Sequence, residues 1–160
     1  MSSQSPKEKD ETRTDGAGDW GDNPYAGRMV DHTPYAVAVG MEFVSSSPGR
    51  GTIRLPWRCE LVGLEGTDIP SPGALTALID QTCGLAIMAG LGFEAAPATL
   101  DLRIDHMRPA APRADLTCSA HVYRATRSIA FLRAEVWDST PDDPVAAAQA
   151  AFTLNRREAR

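Results

Sequence analysis

The segment from Ser71 to Gly92 constrains this chain more than any other. From Ala74 to Ala89 it is Ala, Leu, Ile, Met, Thr and Cys almost without interruption. Leu75, Leu78, Ile79, Thr82 and Ala86 recur at helical spacing, while Ala77, Leu85, Ile87 and Met88 make the remaining faces apolar too. A helix that is apolar nearly all round has to be buried. Ser71 supplies an N-cap, Pro72 suits the first helical position, and Gly90 and Gly92 supply the stop. One charge breaks the pattern: Asp80 is the only charged residue between Asp68 and Glu94. It interrupts the best candidate for a membrane span. A carboxylate in the middle of a buried helix needs a partner, water or a function.

What surrounds the helix is strand-like. Before it, Tyr35–Val44 and Gly51–Trp57 read as two strands, with turn chemistry between them in Ser45-Ser46-Ser47-Pro48-Gly49-Arg50. After it the period switches to two. Leu100, Leu102 and Ile104 alternate with Thr99, Asp101, Arg103 and Asp105. Leu116, Cys118, Ala120 and Val122 do the same, and Ile129–Asp138 and Val145–Leu154 make two more strands. Turn-rich links separate these four, which predicts an antiparallel meander. The fold class is therefore α+β: an antiparallel sheet wrapped around one long buried helix.

With 160 residues the chain makes one domain able to bury a core without staples. Residues 1–22 are polar and charged and read as a disordered tail without the apolar stretch of a signal peptide. The domain is residues 23–160, opening with a short helix through Met29. A net charge of −5 argues against nucleic acid or an anionic membrane as partner. Three cysteines, Cys59, Cys83 and Cys118, show no CxxC spacing, so neither a disulfide framework nor a zinc site is expected, and a reducing cytoplasm fits.

The segments GMEFVSSSPGRGTIRLPW, PSPGALTALIDQTCGLAIMAG, ATLDLRIDHMRPA and RSIAFLRAEVWD, in this order, resemble the hot-dog fold. More narrowly they resemble acyl-CoA thioesterases of the phenylacetate-pathway, PaaI-like type, over roughly Thr33 to Leu154. The resemblance implies hydrolysis of an acyl- or aryl-CoA thioester. No metal or cofactor is implied beyond the coenzyme A of the substrate. It implies a homodimer or a dimer of dimers, with a site that spans two chains. A carboxylate on the central helix acts there as general base or nucleophile, and motif matching places it at Asp80.

The helix entry departs from the family. Relatives carry His-Gly-Gly, whose middle Gly N–H holds the thioester carbonyl; here the positions read Ser71-Pro72-Gly73. Proline has no N–H, so Gly73 N–H or the Ser71 side chain is the substitute donor. Glu65 falls where relatives carry Asn or Gln, and would put a second carboxylate near Asp80, or else be a solvated loop acid. Arg108, Arg127 and Ser128 are the candidates for gripping coenzyme A phosphates, the alternative being solvated turn charges. Thr82, beside Asp80, joins them as a substrate-binding candidate. Cys83 has no His near it in sequence and reads as core, and His106 and His121 read as structural or exposed strand residues. The rival to an enzyme is a non-catalytic hot-dog protein that binds an acyl-CoA or serves as an assembly module.

Overall fold

A computed structural model describes residues 23, 27–91 and 97–154. The tail read over residues 1–22 and the stop assigned to Gly92 lie outside the described residues. The elements are α1 (Arg28–His32), α2 (Pro34–Val39), β1 (Glu42–Ser47), β2 (Arg50–Leu55), a 3-10 turn at Cys59–Leu61, α3 (Pro72–Leu91), β3 (Ala98–His106), β4 (Leu116–Ala125), β5 (Ile129–Trp137) and β6 (Ala146–Thr153). One antiparallel sheet in the order β1-β2-β4-β5-β6-β3 curls around α3. The expected architecture is present: Leu78, Ile79, Leu85 and Ile87 of α3 meet Ile53, Leu116, Leu132 and Val136 in one core, all fully buried.

Helix and sheet approach so closely that β2 has a glycine at the contact. A Cβ on Gly51 would lie 2.8 Å from Leu85 Cγ and 3.0 Å from the Ala86 backbone nitrogen. The charge of Asp80 does not disqualify α3 as a span: by length and hydropathy the helix could cross a bilayer. Its apolarity is explained by burial within the fold, since 67% of its most apolar window is covered by the rest of the chain.

Three expectations are corrected. Residues 35–44 are not one strand; the first five belong to α2. Pro34 opens that helix and Gly40, at φ 81°, closes it, with Met41 N–H donating to Ala36 O at 2.8 Å. The alternation of Tyr35, Val37 and Val39 misleads, because Tyr35 and Val37 are exposed and the small Ala36 is the residue buried. The hairpin is also tighter than expected: β1 runs on to Ser47, leaving only Pro48 and Gly49 between paired residues. Lastly, β3 to β6 are not a four-strand meander. β3 pairs with β6, and only β4, β5 and β6 follow in order.

The β3–β4 link makes that crossover and is tied down along its way. It carries Pro109 and Pro112, and Arg108 anchors it to the far end of β5. The Arg108 guanidinium donates to both Asp138 carboxylate oxygens, at 2.7 and 2.9 Å, and to Asp143 O at 2.7 Å. Ala111 N–H completes the Asp138 cage at 2.8 Å. These donors hold the Asp138 carboxyl well below the usual carboxylate range, Arg108 foremost.

Candidate active site

Asp80 sits in the middle of α3, half-buried, where the helix passes β3 at the edge of the sheet. Its Oδ1 accepts a hydrogen bond from Thr99 Oγ1 at 2.6 Å. Thr99 was not among the residues singled out from sequence, and its alternation with Leu100 puts it on the outer face with Asp101. A register shift between Thr99 and Asp101 accounts for the difference. One extra residue in β3 at this point re-aims the chain, as β-bulges do. The Thr99 hydroxyl turns toward the helix and Leu100 is left 56% exposed.

The helix entry is held by a narrow loop. Ser71 N–H donates to Leu61 O at 2.7 Å, Gly63 N–H donates to Ile69 O, and Val62 bridges Pro70. Ser71 caps α3, with Ala74 N–H donating to its Oγ at 3.3 Å. Pro72 contributes no donor. Gly73 N–H has no acceptor among the described residues and is exposed at the positive end of the helix. Two donors therefore survive at this end: Gly73 N–H and the Ser71 hydroxyl hydrogen.

Gly73 and Asp80 are seven residues apart, so they lie on nearly the same side of α3, about 10 Å apart along its axis. A carbonyl held at Gly73 is out of reach of a base at Asp80 of the same helix. The Asp80 carboxylate and the Gly73 N–H are thus not brought together within one chain.

The remaining candidates fall elsewhere. Glu65 is exposed in the loop ahead of the helix, beside Gly66 at φ 82°, and makes no hydrogen bond or ion pair to Asp80. Thr82 lies outside the site: it is completely buried, and its hydroxyl donates to Leu78 O at 2.6 Å. Two helical positions turn a side chain by about 200°, which takes Thr82 to the core side. Arg108 is engaged by Asp138 and Asp143 within the fold. Arg127 and Ser128 occupy the β4–β5 turn, both exposed. Cys83 and Cys118 are buried thiols; burial pushes Cys83 well above its ordinary value and Cys118 up to about 12, so neither is an available nucleophile at neutral pH. Among the described residues no group of His, Cys, Asp and Glu is arranged to hold a metal ion.

Residues 71–145 match the thioesterase superfamily. A search of curated proteins found no match. Among solved structures, a conserved protein of Pseudomonas aeruginosa is 31% identical with a TM-score of 0.71, covering 79% of this chain and 98% of that one. A variant of the phenylacetic acid degradation protein PaaI from Thermus thermophilus is 24% identical, TM-score 0.67, covering 76% and 99%. The PaaI protein from the phenylacetic acid degradation operon of E. coli is 20% identical, TM-score 0.70, covering 81% and 89%. The last two are likenesses of fold.

Proposed function

Because the chain belongs to the thioesterase superfamily, as a hot-dog protein of the PaaI-like type, we propose that it hydrolyses acyl- or aryl-CoA thioesters with Asp80 as general base or nucleophile. The observation that carries this reading is the carboxylate itself. It is the single charge of α3, one oxygen is held by Thr99, and among the described residues no donor engages the other. That free oxygen can take a proton from water as the water oxygen attacks the thioester carbon. The C–S bond then breaks, and the thiolate leaves as coenzyme A and takes up a proton. Attack by the carboxylate on the same carbon, followed by hydrolysis of the anhydride, gives the same products. Neither route draws on a cofactor beyond the coenzyme A of the substrate.

The 10 Å gap between Gly73 and Asp80 along one helix favours a site made by two copies, one giving Asp80 and its partner the Gly73 N–H. β3 forms one of the two edges of the sheet, β1 being the other, and such an edge pairs readily with another strand. Dimers joined there, alone or as a pair of dimers, are the assembly we propose. Three free thiols fit a reducing cytoplasm.

Pro72 supports the rival reading, an acyl-CoA binder without hydrolysis, because it deletes the usual donor. A screen of aromatic, short-chain and long-chain acyl-CoAs separates the two. For the enzyme, Asp80→Asn lowers turnover on the best substrate by ~10² or more, and Thr99→Val lowers kcat more than it raises KM. Binding without release of free thiol from any substrate decides for the binder. Wild-type turnover in Asp80→Asn removes Asp80 from the mechanism.

A further inference from the structure

The face of the sheet turned away from α3 carries its charges in rows. Strand register sets Arg50 beside His121, His121 beside Arg133, and Arg133 beside Gln149, across β2, β4, β5 and β6. Directly opposed residues of antiparallel strands have Cβ atoms about 5 Å apart, so His121 stands between two guanidinium-bearing side chains. Arg54, Arg58, Arg103, Arg108 and Arg113 each have a carboxylate partner. Arg50 and Arg133 have none among the described residues. Arg133 is instead held over the Tyr123 ring, 5.0 Å from its centroid.

Along this row is a trough of about 380 Å³, lined by Arg50, His121, Arg133, Ser119, Glu135 and Ala147 among others. The charges that face His121 are Arg50 from β2 and Arg133 and Glu135 from β5. Asp105, on β3, also lines the trough but is taken by Arg103 at 3.2 Å. Two cations against one carboxylate leave an unmatched positive charge in a chain whose net charge is −5. Burial first, then both arginines, hold His121 below its ordinary pKa, with Glu135 opposing. His121 is accordingly a neutral imidazole at pH 7, with an N–H to offer.

We propose that Arg50, His121 and Arg133 form a binding site for a phosphate-type oxyanion on the outer face of the sheet, apart from Asp80. Guanidinium forks match the oxygens of such an anion in pairs. His121 N–H and the Ser119 hydroxyl add neutral donors, and Glu135 limits the charge the site accepts. An anion here offsets the part of the His121 shift that comes from Arg50 and Arg133, and so favours the protonated imidazole.

The test is the NMR titration of His121 in the full chain, with millimolar inorganic phosphate against chloride at equal ionic strength. Phosphate should raise the His121 midpoint by ~1 pH unit, and Arg50→Ala and Arg133→Ala should each abolish that response. Adenosine monophosphate is the second arm. Tighter binding than inorganic phosphate assigns the site to a nucleotide that also uses the Tyr123 face; equal binding assigns it to the free anion. A His121 midpoint indifferent to phosphate overturns the proposal, as does a response that survives both arginine variants. It is also overturned if Arg133→Glu shrinks the assembly in sedimentation while wild type ignores phosphate, since the face then belongs to a second copy. None of these readouts depends on thioester hydrolysis.

Discussion

In the proposed mechanism Pro72 and Gly73 decide how a carbonyl is held, and they differ by one N–H. A pre-oriented donor aimed at the developing oxyanion contributes ~10²–10³ in rate. Gly73 N–H is free and lies at the positive end of α3, so Gly73→Pro should cost turnover by that factor on the best acyl-CoA. Pro72→Gly restores a second N–H and should raise turnover, with some loss of stability from a more flexible unfolded chain. Steady-state kinetics on the two variants checks both directions; full activity in Gly73→Pro moves the donor to Ser71. Asp80 was legible in the sequence because a lone charge in an apolar helix stands out without any structure. Thr99 was not, because the bulge after it breaks the period-two rule by which its face was read. Thr82 was misplaced by proximity in sequence, which on a helix separates neighbours by face.

At the scale of elements, the start and burial of α3 were readable: Ser71-Pro72 opens it and the apolar run dictates its burial, although the helix continues through Gly90, which reads in the sequence as part of its stop. The alternation of β4, β5 and β6 held as well. The partner of β3 was not readable, because alternation says which face a residue takes and nothing about which strand lies alongside. The link that follows β3 is tied down by Arg108 with Asp138, 30 residues apart. This clamp predicts an acid sensitivity. The Asp138 carboxyl has a depressed pKa in the folded chain, so its contribution is present above the unfolded value of about 3.9 and is lost as pH falls toward the folded one. Asp138→Asn should lower the melting midpoint by several degrees at pH 7 and flatten its fall below about pH 4, the window just named. Thermal melts across that range measure it; an unchanged acid limb would show that the clamp adds no stability.

For the molecule as a whole, the free edge of β3 is also the edge beside Asp80. Leu100 is displayed there, 56% exposed next to Thr99. Leu100→Lys should turn the proposed dimer into a folded monomer, since a charged edge resists strand pairing, and should abolish hydrolysis although Asp80 and Gly73 are both intact. Sedimentation together with the thioesterase assay checks this; a monomeric wild type with full activity would rule out a site shared between chains.

Under the proposed mechanism, the pairing of β3 with β6 also sets when activity can first exist. Thr99 and Asp80 are only 19 residues apart, and a growing chain makes both early. Yet β3 has no strand to lie against until residues 146–153 are made. Long-range pairings of this kind are the slow steps of folding. On the ribosome, β1, β2, β4 and β5 can close around α3 while the strand that holds the carboxylate in place is still waiting. A nascent or truncated chain that stops short of Ala146 thus lacks the strand against which β3 presents Thr99 to Asp80, and that strand is the last one described.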